Sequence, residues 1–282
     1  MESFFTFLEK RVADSSSLLC VGLDPHVADL AAPNAEAAVD FCVNLVQKTA
    51  PYAAAFKPNA AFFEQFGAPG WTALQHVIAA IREQSQRLGS LIPVILDAKR
   101  GDIASTAEAY AKSAFTALGV HAITLSPYLG KDSIDPFLAH GEKGVFLLCK
   151  TSNPGAADLQ DLMVLGTDPA AGPNGSPLYL AVARLAQAWN MKNNIGLVVG
   201  ATQTEALARI RAAAPDLWFL APGVGAQGGD MAAALHAGLR RDGRGMLLPV
   251  SRAISRAIDP ARAAAALRDE IISIKYQRDK SG

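Results

Sequence analysis

The sequence predicts an α/β fold, a (β/α)₈ TIM barrel in a single domain, and three observations indicate this class. Short apolar runs alternate with longer, alanine-rich segments of helical periodicity along the 282 residues. The apolar runs are nearly continuous, which is typical of parallel strands that are covered on both faces. Eight such runs in a chain of this length fit a closed barrel better than an open sheet. No linker or change of composition divides the chain, so we expect one domain over residues 1–282.

The elements of this barrel can be assigned in chain order. A helix over 4–12 precedes the first strand, and we expect it to cover the bottom of the barrel. The closing helix spans 259–275, where Asp259 can cap the helix and Pro260 suits its first position. The predicted strands are 18–23, 53–57, 92–96, 121–125, 145–149, 195–199, 217–221 and 246–250. The predicted helices between them are 36–50, 71–88, 104–118, 178–190, 205–213 and 231–239.

Composition and charge exclude several classes of protein. The chain has 26 basic and 26 acidic side chains, whereas a nucleic-acid binder normally shows a basic excess. No apolar stretch reaches the ~18–20 residues of a membrane span, and the first residues lack the pattern of a signal peptide. Cys20, Cys42 and Cys149 have no metal-ligand spacing, so we expect reduced thiols in a cytoplasmic protein.

The densest group of polar residues follows the third predicted strand, as Asp97-x-Lys99-x-x-Asp102. In a (β/α)₈ barrel the functional residues concentrate in the loops after the strands. Alternation along a strand places Asp97 and Lys99 on one face, pointing into the barrel mouth, and Lys57 ends the neighbouring strand. A salt-bridge network that closes the barrel top is the alternative explanation. Lys57 weakens that alternative. Barrel interiors are mainly apolar and burying charges is costly, so a structural network alone does not explain four charges there.

The loops after the seventh and eighth strands indicate a phosphate site. Gly223-Val224-Gly225 leaves backbone amides free to approach an anion, and Gln227 adds a side-chain donor. Arg252 supplies a bidentate positive charge. These two loops commonly hold phosphate in (β/α)₈ barrels.

Other patterns predict less. Residues 223–228 also spell GxGxxG, but they do not open a βαβ unit, so we do not expect a nicotinamide cofactor. The five histidines never pair at metal-ligand spacing, so we expect no metal site. Residues 155–177 are rich in Gly, Pro and Asp and follow the fifth strand, which indicates an elaborated loop on the same rim.

Taken together, these motifs resemble those of the orotidine 5′-phosphate decarboxylase family. The residues within them are similar to those of its type 2 branch. The resemblance spans residues 24–252 in the right strand order. DxKxxD alone is shared with sugar-phosphate relatives, whereas the whole set is highly specific. The motifs are Lys57, DAKRGDI at 97–103, TSNPG at 151–155 and the stretch 222–230.

The resemblance implies a decarboxylation of orotidine 5′-monophosphate to uridine 5′-monophosphate, the last step of de novo pyrimidine synthesis, with no cofactor and no metal. By this resemblance Lys99 is the proton donor and Asp97 is the carboxylate beside the leaving CO₂. Lys57 and Asp102 complete a Lys-Asp-Lys-Asp network.

The resemblance also implies partners for other residues. Asp102, Ile103 and Thr106 match family residues that reach the partner subunit's site, which implies a homodimer.

The remaining implied contacts are with the substrate. Asp24 would bind the ribose hydroxyls and Ser152 would read the pyrimidine edge. Gln227 and Arg252 would hold the phosphate.

Three other functions remain open at this stage. A metal-dependent 3-keto-gulonate-6-phosphate decarboxylase or hexulose-phosphate synthase would need an acidic residue where Lys57 stands, and a lysine repels Mg²⁺. A nucleotide-phosphate binding protein with a decayed site conflicts with the complete charge array. A Schiff-base aldolase could use Lys57 or Lys99.

Overall fold

Eight parallel strands form the centre of the molecule. The computed structural model describes residues 2–165, 175–224 and 230–281. The strands are β1 (Leu19–Leu23), β2 (Ala55–Pro58), β3 (Ile95–Arg100), β4 (Ala122–Leu125), β5 (Gly144–Lys150), β6 (Ile195–Val199), β7 (Trp218–Leu220) and β8 (Met246–Val250). Every predicted strand is therefore present, with ends that differ by a few residues.

The sheet closes on itself. Its order is β2-β1-β8-β7-β6-β5-β4-β3, with every neighbouring pair parallel. The outer strands β2 and β3 meet through bridges between Phe56 and Val94 and between Asn59 and Asp97. The Phe56 amide donates to the Pro93 carbonyl at 2.9 Å. The predicted (β/α)₈ barrel is thus confirmed.

Helices surround the barrel and explain why its strands are apolar. All residues of β1, β6 and β8 are buried, since helices cover their outer face and side chains fill the interior. The main helices are α1 (Phe4–Ser15), α2 (Ala35–Thr49), α3 (Ala68–Leu88), α4 (Ala104–Lys112), α5 (Leu178–Trp189), α6 (Thr204–Ala213), α7 (Met231–Gly238) and α8 (Pro260–Ser281). Shorter turns fill the loops: Val27–Asp29, Ala61–Glu64, Pro127–Leu129, Lys131–Ser133, Asp135–Leu138, Pro154–Ala156, Ala157–Gln160 and Arg252–Ser255.

Two helical segments differ from simple α-helices. The segment 104–118 is α-helical only to Lys112 and continues as the π-helix Ser113–Leu118. Between β4 and β5 three short 3₁₀ turns replace the expected helix of a βα unit. Pro127, Gly130 and Pro136 interrupt this segment, which prevents a continuous α-helix. The predicted cap of α8 is confirmed, since the Asp259 side chain accepts the Ala261 amide at 3.0 Å.

The helix α1 covers the bottom of the barrel, as the sequence predicts. Phe5 is buried and stacks on Trp218 at the start of β7, with ring centroids 6.1 Å apart. It also meets the ring of Phe146 edge-on at 5.6 Å. Glu9 accepts the Trp218 indole N–H at 3.3 Å and forms an ion pair with Arg240 at 2.6 Å. The open end of the barrel is therefore the opposite one, where the strands terminate.

The elaborated loop after β5 is described in part. It contains the 3₁₀ turn Pro154–Ala156, the short helix Ala157–Gln160 and an antiparallel ribbon of Met163–Val164 with Ser176–Pro177. Residues 166–174 of this predicted loop lie outside the described residues. None of the described helices has the length and apolar character that a membrane crossing requires.

Candidate active site

The carboxylate of Asp97 lies between two lysines at the mouth of the barrel. Its Oδ2 accepts Lys57 Nζ at 2.9 Å, and its Oδ1 accepts Lys99 Nζ at 2.6 Å. Thr124, at β4, donates its hydroxyl to the same Oδ1 at 3.0 Å. The structure therefore brings together three of the four residues that the sequence predicts for the charge array.

The three charged side chains differ in their access to solvent. The Lys57 side chain is 8% exposed and that of Asp97 is 13% exposed, whereas half of the Lys99 side chain is accessible. Lys99 is therefore the member of the array that is most accessible to solvent. The side chains of Lys57 and Asp97 are largely buried.

The backbone at Lys99 departs from regular strand geometry. Its φ is +47°, in the left-handed region that non-glycine residues rarely adopt. The pairing of β3 with β4 is irregular between Leu96 and Arg100. The Thr124 hydroxyl accepts the backbone amides of Ala98 and Lys99 at 3.0 and 2.9 Å. Asp97 and Lys99 thus meet through a bulge held by Thr124, and not through the simple alternation expected from the sequence.

Electrostatics keep this array charged. Burial alone raises the pKa of the Asp97 carboxyl, but the charges of Lys57 and Lys99 outweigh it and hold the pKa well below its usual range. Burial alone lowers the pKa of Lys57, but the charges of Asp24 and Asp97 outweigh it and raise the pKa above its ordinary value. Near neutral pH, Asp97 is therefore an anion and Lys57 a cation.

A cavity of about 360 Å³ opens beside the array. Asp24 from the end of β1 and Lys57 from β2 line one side of it, and Gly223 and Arg252 from the loops after β7 and β8 line the other. The two predicted phosphate-binding loops therefore reach the same cavity as the predicted ribose-binding carboxylate. Gln227, also predicted to hold the phosphate, lies outside the described residues.

Two polar atoms in the wall of this cavity lack a hydrogen-bond partner among the described residues. In the described part of the chain, Asp24 Oδ1 and Ser251 Oγ are buried without a hydrogen bond. Both residues lie beside Gly22, where an added Cβ would be 2.8 Å from Ser251 Cβ and 3.3 Å from Asp24 Oδ2. The absence of a side chain at Gly22 is thus what allows the two residues to pack this closely.

Ser152 lies across the barrel mouth from Asp24. It follows β5, which is four strands from β1 in either direction around the barrel. Ser152 packs directly over Gly200, which follows β6. The neighbouring Thr151 is held by Gln160, whose Oε1 accepts the Thr151 amide at 2.8 Å and whose Nε2 donates to Thr151 Oγ1 at 2.9 Å.

Among the described residues, no hydrogen bond or ion pair joins Asp102, Ile103 or Thr106 to the array. Ile103 is 55% exposed and Thr106 is exposed on the first turn of α4. Asp102 Oδ1 accepts the Ile103 amide at 2.9 Å. Within the described residues Asp102 forms no ion pair, so its carboxylate does not complete the array of its own chain.

Two residues of this site carry no role in the sequence prediction. Thr124 fixes Asp97 and the Lys99 backbone, and its signal is a hydroxyl at the end of an otherwise apolar run. Ser251 precedes Arg252, but a serine before a short helix is ordinarily read as a helix cap. Only the structure shows that its hydroxyl does not cap that helix.

The histidines and cysteines lie outside the array. His26 lines the cavity and packs edge-on against Phe62 at 4.3 Å. All three cysteines are buried and unbridged. Among the described residues, no three His, Cys, Asp or Glu side chains are grouped to hold a metal ion.

Residues 17–267 match the model of the Orotidine 5′-phosphate decarboxylase / HUMPS family. The chain belongs to this family. The matched range contains the whole charge array, the cavity and the loop after β5, so the family assignment covers every feature of the site.

Individual members of the family are similar to this chain over nearly all of its length. An orotidine 5′-phosphate decarboxylase from Roseiflexus castenholzii is 50% identical over 270 residues, which are 94% of this chain and 93% of that protein. The structure of Leishmania donovani OMP decarboxylase is 53% identical and covers 97% of this chain and 99% of its own, with a TM-score of 0.85. The Leishmania donovani UMP synthase is 55% identical with a TM-score of 0.87, and the match spans 98% of this chain and 57% of that longer protein.

Proposed function

We propose that this chain decarboxylates orotidine 5′-monophosphate to uridine 5′-monophosphate and CO₂. The observation that carries the proposal is the buried Asp97 carboxylate between the ammonium groups of Lys57 and Lys99. Family membership and relatives named orotidine 5′-phosphate decarboxylase support the same reaction.

The cavity suits a nucleoside monophosphate. Arg252 and the backbone around Gly223 offer positive charge and amide donors to the phosphate, with Gln227 proposed as a further donor. Asp24 accepts hydrogen bonds from the ribose hydroxyls. The pyrimidine then extends toward Lys99 on one side and Ser152 on the other. Binding energy gained at the phosphate can orient the distant reacting carbon.

Asp97 disfavours the bound carboxylate of the substrate. Since Asp97 stays ionised, a substrate carboxylate beside it brings two negative charges together. At about 4 Å and an effective dielectric constant of about 20, this repulsion is about 4 kcal/mol. The repulsion disappears as CO₂ leaves without charge, so it lowers the barrier relative to the bound substrate.

Lys99 stabilises the product of bond cleavage. When the bond from C6 to the carboxylate breaks, its electron pair stays on C6. The ammonium group of Lys99 attracts this charge and then transfers a proton to C6, which gives uridine 5′-monophosphate. Lys57 holds Asp97 in place and balances its charge through the 2.9 Å ion pair.

The proposal includes a homodimer with composite sites. Ile103 and Thr106 are exposed, and Asp102 has no ion pair within the described residues. A two-fold dimer presents the same patch from both chains, so these three residues would each serve the partner's site. A reducing, cytoplasmic location belongs to the same proposal and is supported by three buried, unbridged thiols.

The structure gives physical reasons against two of the alternatives. A Schiff-base aldolase that uses Lys57 needs this lysine neutral, whereas the charges of Asp24 and Asp97 raise the pKa of Lys57. A Mg²⁺-dependent sugar-phosphate enzyme needs anionic ligands where Lys57 places a buried cation. A binding protein without activity is distinguished by the assay below.

The test is turnover of orotidine 5′-monophosphate, followed as loss of absorbance, without added metal and with EDTA. We expect full activity in both conditions, since Lys99 supplies the cation that the reaction needs. No turnover by protein that binds uridine 5′-monophosphate would leave a binding protein instead. Loss of activity with EDTA and its return with Mg²⁺ would contradict the metal-free reaction.

A further inference from the structure

Ser251 occupies a position where a serine usually caps a helix, but it does not do so. It directly precedes the short helix Arg252–Ser255, and its carbonyl accepts the amides of Ile254 and Ser255 at 2.9 Å each. Its hydroxyl makes no capping hydrogen bond. The usual reason for a serine at this position is therefore missing.

The hydroxyl of Ser251 is instead buried in the wall of the cavity with no partner in the described part of the chain. A buried hydroxyl without a hydrogen bond destabilises a protein, so such groups normally find a partner. Asp24 Oδ1, which also lies near Gly22, is likewise buried without a hydrogen-bond partner in the described residues. Two unpaired polar atoms beside one glycine indicate that a single bound group satisfies both.

The position of Ser251 selects the part of the nucleotide that it can reach. Arg252, the next residue, lines the cavity on the side proposed for the phosphate, and Asp24 is proposed for the ribose. A carboxylate only accepts hydrogen bonds, whereas a serine hydroxyl both donates and accepts. The pair therefore suits two neighbouring ribose oxygens, one that donates to Asp24 and one that exchanges a hydrogen bond with Ser251.

We propose that Ser251 is a ribose-binding residue, and that its hydroxyl bonds one ribose hydroxyl of the nucleotide beside the one that Asp24 binds. This inference rests on the proposed function, since it takes the cavity to hold a nucleoside monophosphate. It assigns a ligand to a side chain whose hydroxyl has no other partner within residues 2–165, 175–224 and 230–281.

The test compares Ser251→Ala with the control Ser85→Ala. Ser85 is buried on α3, and its hydroxyl donates to the Ile81 carbonyl at 2.9 Å and accepts the Ile92 amide at 3.0 Å. Ser85→Ala should lower the melting temperature and leave nucleotide binding unchanged. Ser251→Ala should leave the melting temperature of the free protein unchanged or raise it, and weaken uridine 5′-monophosphate binding by about 2- to 12-fold.

Deoxy nucleotides identify the bonded atom. The Kd values of wild type and Ser251→Ala are measured by calorimetry for uridine 5′-monophosphate and for its 2′-deoxy and 3′-deoxy analogues. We expect the effect of Ser251→Ala to vanish for one of the two analogues. Equal weakening for all three nucleotides would place the hydroxyl at the phosphate and overturn the inference.

Two other results also overturn the inference. One is an unchanged Kd in Ser251→Ala, and the other is a loss of stability like that of Ser85→Ala, which would mean that the hydroxyl is already paired in the free protein. If the wild type neither binds uridine 5′-monophosphate nor turns over the substrate, the proposed function itself fails. The wild-type measurements thus separate the two failures.

Discussion

Lys99 has a backbone conformation that costs about 1–2 kcal/mol for a residue with a Cβ. The hydrogen bond from its amide to Thr124 and the ion pair with Asp97 hold it there. Strained residues that the surroundings fix in this way concentrate at functional sites. The sequence predicts which residue types meet at this point, but the bulge depends on a hydroxyl of the neighbouring strand and cannot be read from β3 alone.

At the scale of single residues, Lys99→Ala and Arg252→Ala should have different effects. Lys99→Ala should abolish turnover and leave uridine 5′-monophosphate binding intact, because Lys99 is proposed to act on charge that develops during the reaction. Arg252→Ala should mainly weaken affinity, by about 2 kcal/mol or thirtyfold, through loss of a charged hydrogen bond to the phosphate. Steady-state kinetics and calorimetry measure both effects.

The matched control is Lys131→Ala, which removes an exposed lysine paired with Asp135 at 2.6 Å. It should leave kcat and KM unchanged. Near-normal kcat in Lys99→Ala would refute the assignment of the proton donor.

His121 should make stability depend on pH. Burial first, and then the charges of Lys143 and Arg82, lower the pKa of His121 to about 4. Its Nδ1 accepts the Val94 amide at 3.1 Å, a bond that requires the unprotonated nitrogen. The unfolded chain binds a proton below about pH 6.5 and the folded chain only below about 4, so stability falls as pH falls across this window. We expect a loss of about 2 kcal/mol between pH 7 and pH 5.

Urea unfolding at several pH values measures this slope, and His121→Gln should reduce it. His76 lies exposed on α3 and provides the matched control, His76→Gln, which should keep the full slope. An identical slope in wild type and His121→Gln would exclude His121 as its source.

At the scale of elements, the short helix Ala157–Gln160 fixes the start of the loop that carries Ser152. Gln160 binds both the amide and the hydroxyl of Thr151, and Lys150 forms a 2.6 Å ion pair with Asp161. The last residue of this helix and the residue that follows it thus hold the two residues directly before Ser152. In the proposed function, this helix would affect the substrate only through the position of that serine.

Gln160→Ala should therefore lower kcat/KM, by about 5- to 150-fold for the two hydrogen bonds lost, at about 1–3 kcal/mol together. If the effect acts through Ser152, Gln160→Ala should add nothing in a Ser152→Ala background. Gln187→Ala is the matched control, since Gln187 also makes two hydrogen bonds, to Asp216 on the outside of the barrel. Additive losses in the double variant would mean that Gln160 does not act through Ser152.

The strands of the barrel could be predicted from the sequence, whereas some of the turns could not. All eight strands follow from continuous apolar runs, because burial on both faces leaves a strong signal. The 3₁₀ turns between β4 and β5 do not follow, since short turns have no periodicity to read. The unpaired hydroxyl of Ser251 is likewise invisible, because it depends on the packing of β8 against Gly22 of β1.

At the scale of the whole molecule, the shared sites of the proposed dimer can be tested by mixing inactive subunits. Lys99→Ala and Asp102→Ala subunits should each be inactive alone. In a mixed dimer one site carries both defects and the other is intact. Since about half of randomly exchanged dimers are mixed, roughly a quarter of wild-type activity should return.

The control is a mixture of Lys99→Ala and Lys57→Ala subunits. Lys57 and Lys99 bind the same Asp97 within one chain, so no mixed dimer contains an intact site. This mixture should stay inactive. If subunit exchange is demonstrated and neither mixture regains activity, Asp102 serves its own subunit.

The helix that covers the barrel bottom has a consequence for synthesis on the ribosome. Phe5 and Glu9 leave the exit tunnel long before Trp218, to which Glu9 bonds, because Trp218 lies 209 residues further along the chain than Glu9. Arg240 follows later still. The apolar face of α1 therefore remains without its final packing partners until most of the barrel has been translated. This is the period in which a nascent chain is most exposed to aggregation and to capture by chaperones.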